Sequence, residues 1–275
     1  MKITFDIGGT NTRVASFDNG NHFLTKLKFP TPQQYEEGID VIGKAVEELR
    51  KNEKVDAVAI AIAGALDKLG GRILTSPNLK DWEKKPLVYD MTQTVGASRV
   101  ILENDAAAAA IGEARMGSGK GKHIVAFLTL STGVGGARVI NGSLDVSAMG
   151  FEPGSLIVNM DETMPIGNFV FGSLESYVSG TGFRQRFWMA PETCEDPSVW
   201  QQYARWLAVG LANIVDLWSP NIIVLGGGMV HRSSFFLEQT RKLLAERIPF
   251  PQPPPIVIGA LGDEAGLWGG ITLLQ

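Results

Sequence analysis

Short apolar runs separated by glycine and asparagine turns set the rhythm of the chain. Residues 2–7 (KITFDI) have the pattern of a strand, and 13–17 and 23–29 read as two more. Between the last two, Asn19-Gly20 signals a hairpin turn, because both residues tolerate positive φ. After Thr31-Pro32 the spacing becomes helical over 33–51, with Ile39, Val41, Ile42, Ala45, Val46 and Leu49 on the apolar side. Residues 55–63 are an almost unbroken apolar run of strand length, as a strand buried on both faces requires. A loop at 76–79, a helix over 86–96, a short strand at 99–102 and an alanine-rich helix over 104–114 complete this half.

The pattern then begins again. A buried strand over 124–130 runs into Thr132-Gly133-Val134-Gly135-Gly136, returns over 137–140 and meets a second Asn-Gly turn at Asn141-Gly142. Strand, glycine turn, strand and Asn-Gly turn thus occur twice, which suggests two similar α/β lobes. Segment 150–180 is irregular and contains glycine. Helices are expected over 198–218 and 234–247, a strand at 222–225 ending in Gly226-Gly227-Gly228, a stiff proline connector at 249–255, a strand at 256–258 and a helix over 264–274. No low-complexity linker divides the chain, so close packing of the lobes is expected.

Composition narrows the function classes. The 275 residues are 44% hydrophobic and 20% charged, which suits a globular protein with a sizeable core. The net charge of -4 implies no broad basic surface, so no nucleic-acid partner is expected. Cys194, the single cysteine, leaves neither a disulfide nor a cysteine cluster for zinc. No apolar run reaches the roughly 18 residues of a membrane span, and the first residues lack the pattern of a signal peptide. A cytoplasmic protein without membrane partners is the expectation.

Several clusters could carry chemistry. In Asp6-Ile7-Gly8-Gly9-Thr10, the glycines would let backbone amides approach an anion, and Asp6 could hold hydrated Mg²⁺ beside a phosphate. An ordinary hairpin turn fits the same residues. Thr132-Gly133-Val134-Gly135-Gly136 offers a second cradle. Neither has the Walker pattern. Gly226-Gly227-Gly228 is either a strand-to-helix turn or bare backbone for a nucleotide. In Glu103-Asn104-Asp105, Asn104 suits an N-cap, and Asp105 stands at a strand's C-terminal end, where it could take a proton from a substrate hydroxyl. Asn78, in Ser76-Pro77-Asn78-Leu79, is a turn former or a ligand contact. His22, His123 and His231 share no ligand spacing and read as solvent-facing or structural. Trp188, Trp200, Trp206 and Trp218 read as core or interface, and Lys80, Lys84 and Lys85 as a solvated face.

Taken in order, these elements resemble the ROK family of sugar kinases, within the actin-like ATPase superfamily. The resemblance runs over essentially the whole chain. Asp6 to Gly9 with Thr10 and Asn11 is similar to its first phosphate motif, and Leu130 to Gly136, with Thr132, Gly133 and Gly135, to its second. Glu103-Asn104-Asp105-Ala106 resembles the catalytic motif, and Val224 to Gly228 the adenosine segment. The resemblance implies an α/β, two-lobed, ribonuclease H-like fold with a cleft between lobes. The lobes would be 1–115 and 116–262, with helix 263–275 returning to the first. It implies Asp105 as general base and Asn104, Asn78, Gly64 and Ala65 as sugar contacts. ATP would lie on the glycine turns, and Mg²⁺ on Asp6 through water.

Two segments depart from the family. Where it usually has Gly-Glu-x-Gly-His, this chain has Gly150-Phe151-Glu152-Pro153-Gly154-Ser155, with Ser155 in the histidine position. The usual three cysteines before a glutamate are replaced by Val170-Phe171-Gly172-Ser173-Leu174-Glu175. Glu152 and Glu175 still match sugar-contacting carboxylates. No structural zinc is expected, and apolar packing around Phe169, Val170 and Phe171 should hold the loop instead. With no helix-turn-helix before Met1, the resemblance is to the kinase branch. A homodimeric, ATP-dependent hexose kinase is implied, glucokinase-like and acting at the C6 hydroxyl. A kinase for mannose, fructose or an N-acetylhexosamine, polyphosphate as donor, and a non-catalytic sugar or nucleotide sensor are the alternatives.

Overall fold

The first strand, β1 (Lys2–Ile7), lies at the middle of a five-stranded sheet. Its chain returns antiparallel as β2 (Asn11–Phe17) and again as β3 (Phe23–Pro30). Helix α1 (Tyr35–Arg50) then leads to β4 (Ala57–Ile62), which pairs parallel with β1 on its other side. All six β4 residues are buried, as their unbroken apolar sequence requires. A small hairpin, β5 (Ala65–Asp67) with β6 (Arg72–Thr75), and helix α2 (Leu87–Val95) precede β7 (Arg99–Asn104), parallel to β4. The order is β3-β2-β1-β4-β7. Helix α3 (Asp105–Met116) starts directly at the end of β7. The computed structural model describes residues 1–160, 169–249 and 252–275.

A second sheet repeats the plan. β8 (Ile124–Leu130) pairs antiparallel with β9 (Val134–Ile140), which carries the short β10 (Ser143–Leu144). Helices α4 (Leu174–Val178), α5 (Gly180–Phe187) and α6 (Pro197–Trp218) lead to β11 (Ile222–Gly226), and α7 (Ser233–Ala245) to β12 (Ile256–Ile258). The order β10-β9-β8-β11-β12 has the same two antiparallel and two parallel pairings as the first sheet. Its core stacks Trp200 and Tyr203 of α6 with Phe183 and Phe236. The last helix, α8 (Ala265–Leu273), packs Leu267 and Ile271 on Ala15, Phe17, Ala57 and Ala59 of the first sheet. The chain accordingly divides into one unit of Met1–Gly112, Ala148–Gly150 and Asp263–Gln275, and another of Glu113–Ser147 and Phe151–Gly262.

Several local expectations are corrected. The first Asn-Gly turn is not a two-residue hairpin. Its loop runs from Asp18 to His22, and the left-handed residue is Asn21, at φ 66°. The second is one, with Asn141 at φ 53° and Gly142 at φ 72°. The irregular stretch at 150–180 holds α4 and the start of α5, whose N-caps are Ser173 and Ser179. Both helices are short and glycine interrupts the second, so neither shows a periodic signal. The expected apolar packing at 169–171 does not form: Val170 is 60% and Phe171 54% exposed. Backbone bonds hold that loop instead, from Val158 N–H to Gly172 O and from Leu174 N–H to Leu156 O, both 2.7 Å. Residues 161–168 of the irregular stretch and 250–251 of the proline connector lie outside the described residues. Trp200 is core, Trp206 lies against Tyr177 and Trp218 against Phe151, whereas Trp188 is 91% exposed.

Candidate active site

The parallel register of β1, β4 and β7 sets Ile7 beside Ile62 and Ile62 beside Asn104. Three strands therefore end at one edge, the place where open α/β sheets bind ligands. Asp6, Gly64, Asn104 and Asp105 all arrive there. Asn104 caps α3: its Oδ1 accepts the Ala107 N–H at 3.1 Å, and its Nδ2 donates to Gly64 O at 3.2 Å. Gly64, at φ 134°, is packed so that a Cβ would lie 2.5 Å from Thr75 O. Both contacts lock the Asn104 amide, so the capping role open in the sequence is real and also presents a fixed polar group at the edge.

Glu103 turns inward beside it. It is buried, its Oε1 accepts the Asn104 N–H at 2.9 Å, and its Oε2 accepts from Lys68 Nζ at 2.7 Å. Lys68, at the tip of the β5–β6 hairpin, was not anticipated from sequence. The pair lies 35 residues apart and Lys68 sits in a hairpin with no periodic signal.

The two aspartates are electrostatically linked. Burial first, and the charge of Asp105 second, together raise the Asp6 carboxyl to about 7 against the opposing charge of Arg13. Arg13 faces Asp6 directly across the β1–β2 ladder, with Nη1 3.8 Å from Asp6 Oδ2, and its other terminal nitrogen pairs with Asp263. Burial also raises the Asp105 carboxyl, while the Ala106 N–H on its Oδ1, at 2.8 Å, pulls the other way. A carboxylate with a raised pKa at a ligand-binding edge is a stronger base than a solvated one.

The first glycine turn is braced from outside. Thr31 Oγ1 donates to Gly8 O at 2.7 Å, Gln33 Nε2 to Gly9 O at 2.9 Å, and the Thr31 N–H to Thr10 O at 2.9 Å. All three carbonyls are thus engaged, and the amides of Gly9 and Thr10 have no partner among the described residues. Gly9 has no positive φ. It is needed because a Cβ there would overlap the Asn78 Cβ, so Asn78 lies directly on the turn. Asn11 belongs to β2, where its O accepts the Gly8 N–H. Ala65 starts β5 and is exposed.

In the second unit the corresponding turn is shorter than its sequence suggests. Gly135 and Gly136 lie in β9, paired with Thr129 and Leu128, so the open turn is Ser131 to Gly133. Glu175, expected at a sugar, has its Oε2 on the Val134 N–H at 2.7 Å, and a Cβ on Gly133 would lie 2.6 Å from it. The Pro153–Ser155 turn, which carries Glu152 and Ser155 at its ends, packs on β9: a Cβ on Gly136 would lie 2.9 Å from Pro153 Cγ. Gly226 pairs with Thr129, and Gly227, at φ 84°, crosses the end of β8, where a Cβ would lie 2.7 Å from Thr129 Oγ1. Gly228 faces open space. Turn, glutamate-bearing segments and triple glycine therefore gather at one end of this sheet.

Asp6 and Asp105 suit a hydrated Mg²⁺. They are hard oxygen donors whose mutual repulsion a divalent cation would relieve. Among the described residues no group of three or more His, Cys, Asp or Glu forms a metal cage, so a cation here would keep much of its water.

Comparison with known proteins gives a consistent result. A family model described as the ROK family matches residues 2–275. A glucokinase of Streptomyces coelicolor is 31% identical, over 100% of this chain and 98% of that protein. An N-acetyl-D-glucosamine kinase of Citrobacter koseri is 29% identical, over 99% of each. The crystal structure of a ROK family glucokinase from Streptomyces griseus, in complex with glucose and AMPPNP, superposes with a TM-score of 0.79 at 29% identity, covering 98% of this chain and 97% of that one. No helix among the described residues is long and apolar enough to cross a membrane.

Proposed function

The chain belongs to the ROK family, with its two-lobed actin-like ATPase fold, and from that membership we propose that this sugar kinase transfers the γ-phosphoryl group of Mg-ATP to the C6 hydroxyl of glucose. The observation that carries this reading is the edge formed by β1, β4 and β7. It sets Asp105, with its raised pKa, beside an Asn104 amide locked by Gly64 and Ala107.

Asp105 accepts the C6 hydroxyl proton as that oxygen attacks phosphorus, and the bond to the ADP oxygen breaks. Asn104 and Asn78 orient the sugar hydroxyls, with the Gly64-Ala65 backbone alongside. In the first unit, the unpartnered amides of Gly9 and Thr10, with the Thr10 hydroxyl, orient phosphate oxygens. In the second, Thr132 and Gly133 serve phosphates, Gly226 to Gly228 the adenosine, and Glu152, Ser155 and Glu175 the anomeric end of the sugar. Asp6 would hold Mg²⁺ through water, and the ion supplies charge neutralisation on the transferring group.

A second acceptor, an N-acetylhexosamine, is favoured by one observation. Ser155 is a small, exposed side chain where the family resemblance places a histidine, which leaves room at the C2 end of the sugar. The 29% identity to an N-acetyl-D-glucosamine kinase points the same way.

A coupled ADP-release assay with Mg-ATP across hexoses and N-acetylhexosamines tests both. Glucose is expected to give the highest kcat/KM, and Asp105→Ala to lower turnover by about 10²–10⁴-fold. A higher value for an N-acetylhexosamine would select the second acceptor. Turnover of no sugar by folded, ATP-binding protein would refute the kinase reading.

A further inference from the structure

The opposite end of the second sheet holds a polar concavity that the kinase reading does not use. β8 runs from Ile124 to Leu130, so about 20 Å of strand separate it from the glycine turn. Arg115, in the last turn of α3, with Lys120, Lys122 and His123 of the following loop and Asn141-Gly142 of the β9–β10 turn, lines an open concavity of about 480 Å³. No carboxylate lines it, in a chain with 29 acidic and 25 basic residues.

The positive charge there is uncommitted. Lys120 and Lys122 are exposed, and their side chains make no ion pair or hydrogen bond among the described residues. Arg115 donates Nε to Gly142 O at 2.7 Å, which leaves both terminal nitrogens of its guanidinium. His123 pairs through Nδ1 with Asn141 Oδ1, which leaves Nε2. Lysines that follow a helix often serve only its C-terminal dipole. Here the end of α3 is closed by the chain itself, because Glu113 O accepts the N–H groups of Gly117 at 3.1 Å and Gly119 at 3.0 Å. The dipole also fades within one turn, and Lys120 and Lys122 lie beyond it.

We propose that this concavity is a binding site for a phosphate monoester, separate from the kinase machinery. A guanidinium fork matches a phosphate's oxygens, two lysines supply point charges, and the volume suits a sugar phosphate or a mononucleotide. Product-like sugar phosphates and nucleotides share this chemistry, and the experiment separates them. Glucose 6-phosphate, AMP and inorganic phosphate are titrated calorimetrically into the whole protein and into Lys120→Glu/Lys122→Glu, at low and high salt. Both lysines are exposed and unpartnered, so the variant should fold and keep its sugar-kinase turnover. At least one of the three probes is expected to bind about tenfold more weakly to the variant, with the difference shrinking at high salt. The probe that responds names the source, and a response to phosphate alone assigns recognition to the phosphoryl group. Arg115→Gln, which keeps the stem and removes the charge, should act in the same direction. Isotherms of wild type and both variants that coincide for all three probes overturn the site.

Discussion

Replacement of Asp6 by asparagine should make the protein more stable and less competent, with a pH dependence that identifies the cause. The native carboxyl titrates at about 7 against an ordinary 3.8. Between those values the folded chain holds a proton that the unfolded chain has released, so raising the pH through this window destabilises the native state. The rise from 3.8 to about 7 corresponds to at most about 4 kcal/mol. Asp6→Asn removes that penalty. Urea unfolding of both proteins from pH 4.5 to 8 should show a small difference at the acid end that grows to about 4 kcal/mol above pH 7, in favour of the variant. Burial is the larger cause and Asp105 the second, so in an Asp105→Asn background the effect should shrink and most of it persist. A difference between variant and wild type that stays constant from pH 5 to 8 would refute the reasoning. Mg-ATP should raise the stability of the wild type more than that of Asp6→Asn, because only the former keeps the carboxylate that would hold the ion.

Asn104 separates two roles by choice of residue. Asn104→Ser keeps a capping oxygen for the Ala107 N–H and loses only the amide's bond to Gly64 O, so stability should fall modestly while the sugar KM rises. Asn104→Ala should lose about 1 kcal/mol more, and equal stability of the two in urea would deny the cap. Gly9→Ala drives a Cβ into Asn78. About 1–3 kcal/mol of stability should be lost and the sugar KM should rise, and a wild-type KM would remove Asn78 from the site.

The fold was legible where period and burial agree. β4 is apolar throughout and buried throughout, and α1 buries Ile42, Ala45, Val46 and Leu49 from the face its spacing marked. Legibility failed where one side-chain bond decides a short element. α4 and α5 have five and eight residues, and their starts depend on the Ser173 and Ser179 caps rather than on a repeating pattern. In the first hairpin, Asp18 binds His22 through both its backbone N–H and its side chain, which moves the left-handed residue from the Asn19-Gly20 pair to Asn21.

The strand-end positions of the proposed site residues were legible for a geometric reason. Parallel register aligns Asp6, Gly64 and Asn104 once the strands are known. What lay beyond reading was the reason for glycine in the two glycine turns at Gly9 and Gly133. Neither Gly9 nor Gly133 has a positive φ. Each is bare so that a distant polar side chain, Asn78 at the first turn and Glu175 at the second, can lie against the backbone. Both partners come from positions assigned to the sugar by resemblance. Within its own unit, each turn therefore touches a residue that the proposed function places at the sugar, 69 and 42 positions along the chain. A glycine pattern alone announces space, and only the fold shows which side chain occupies it.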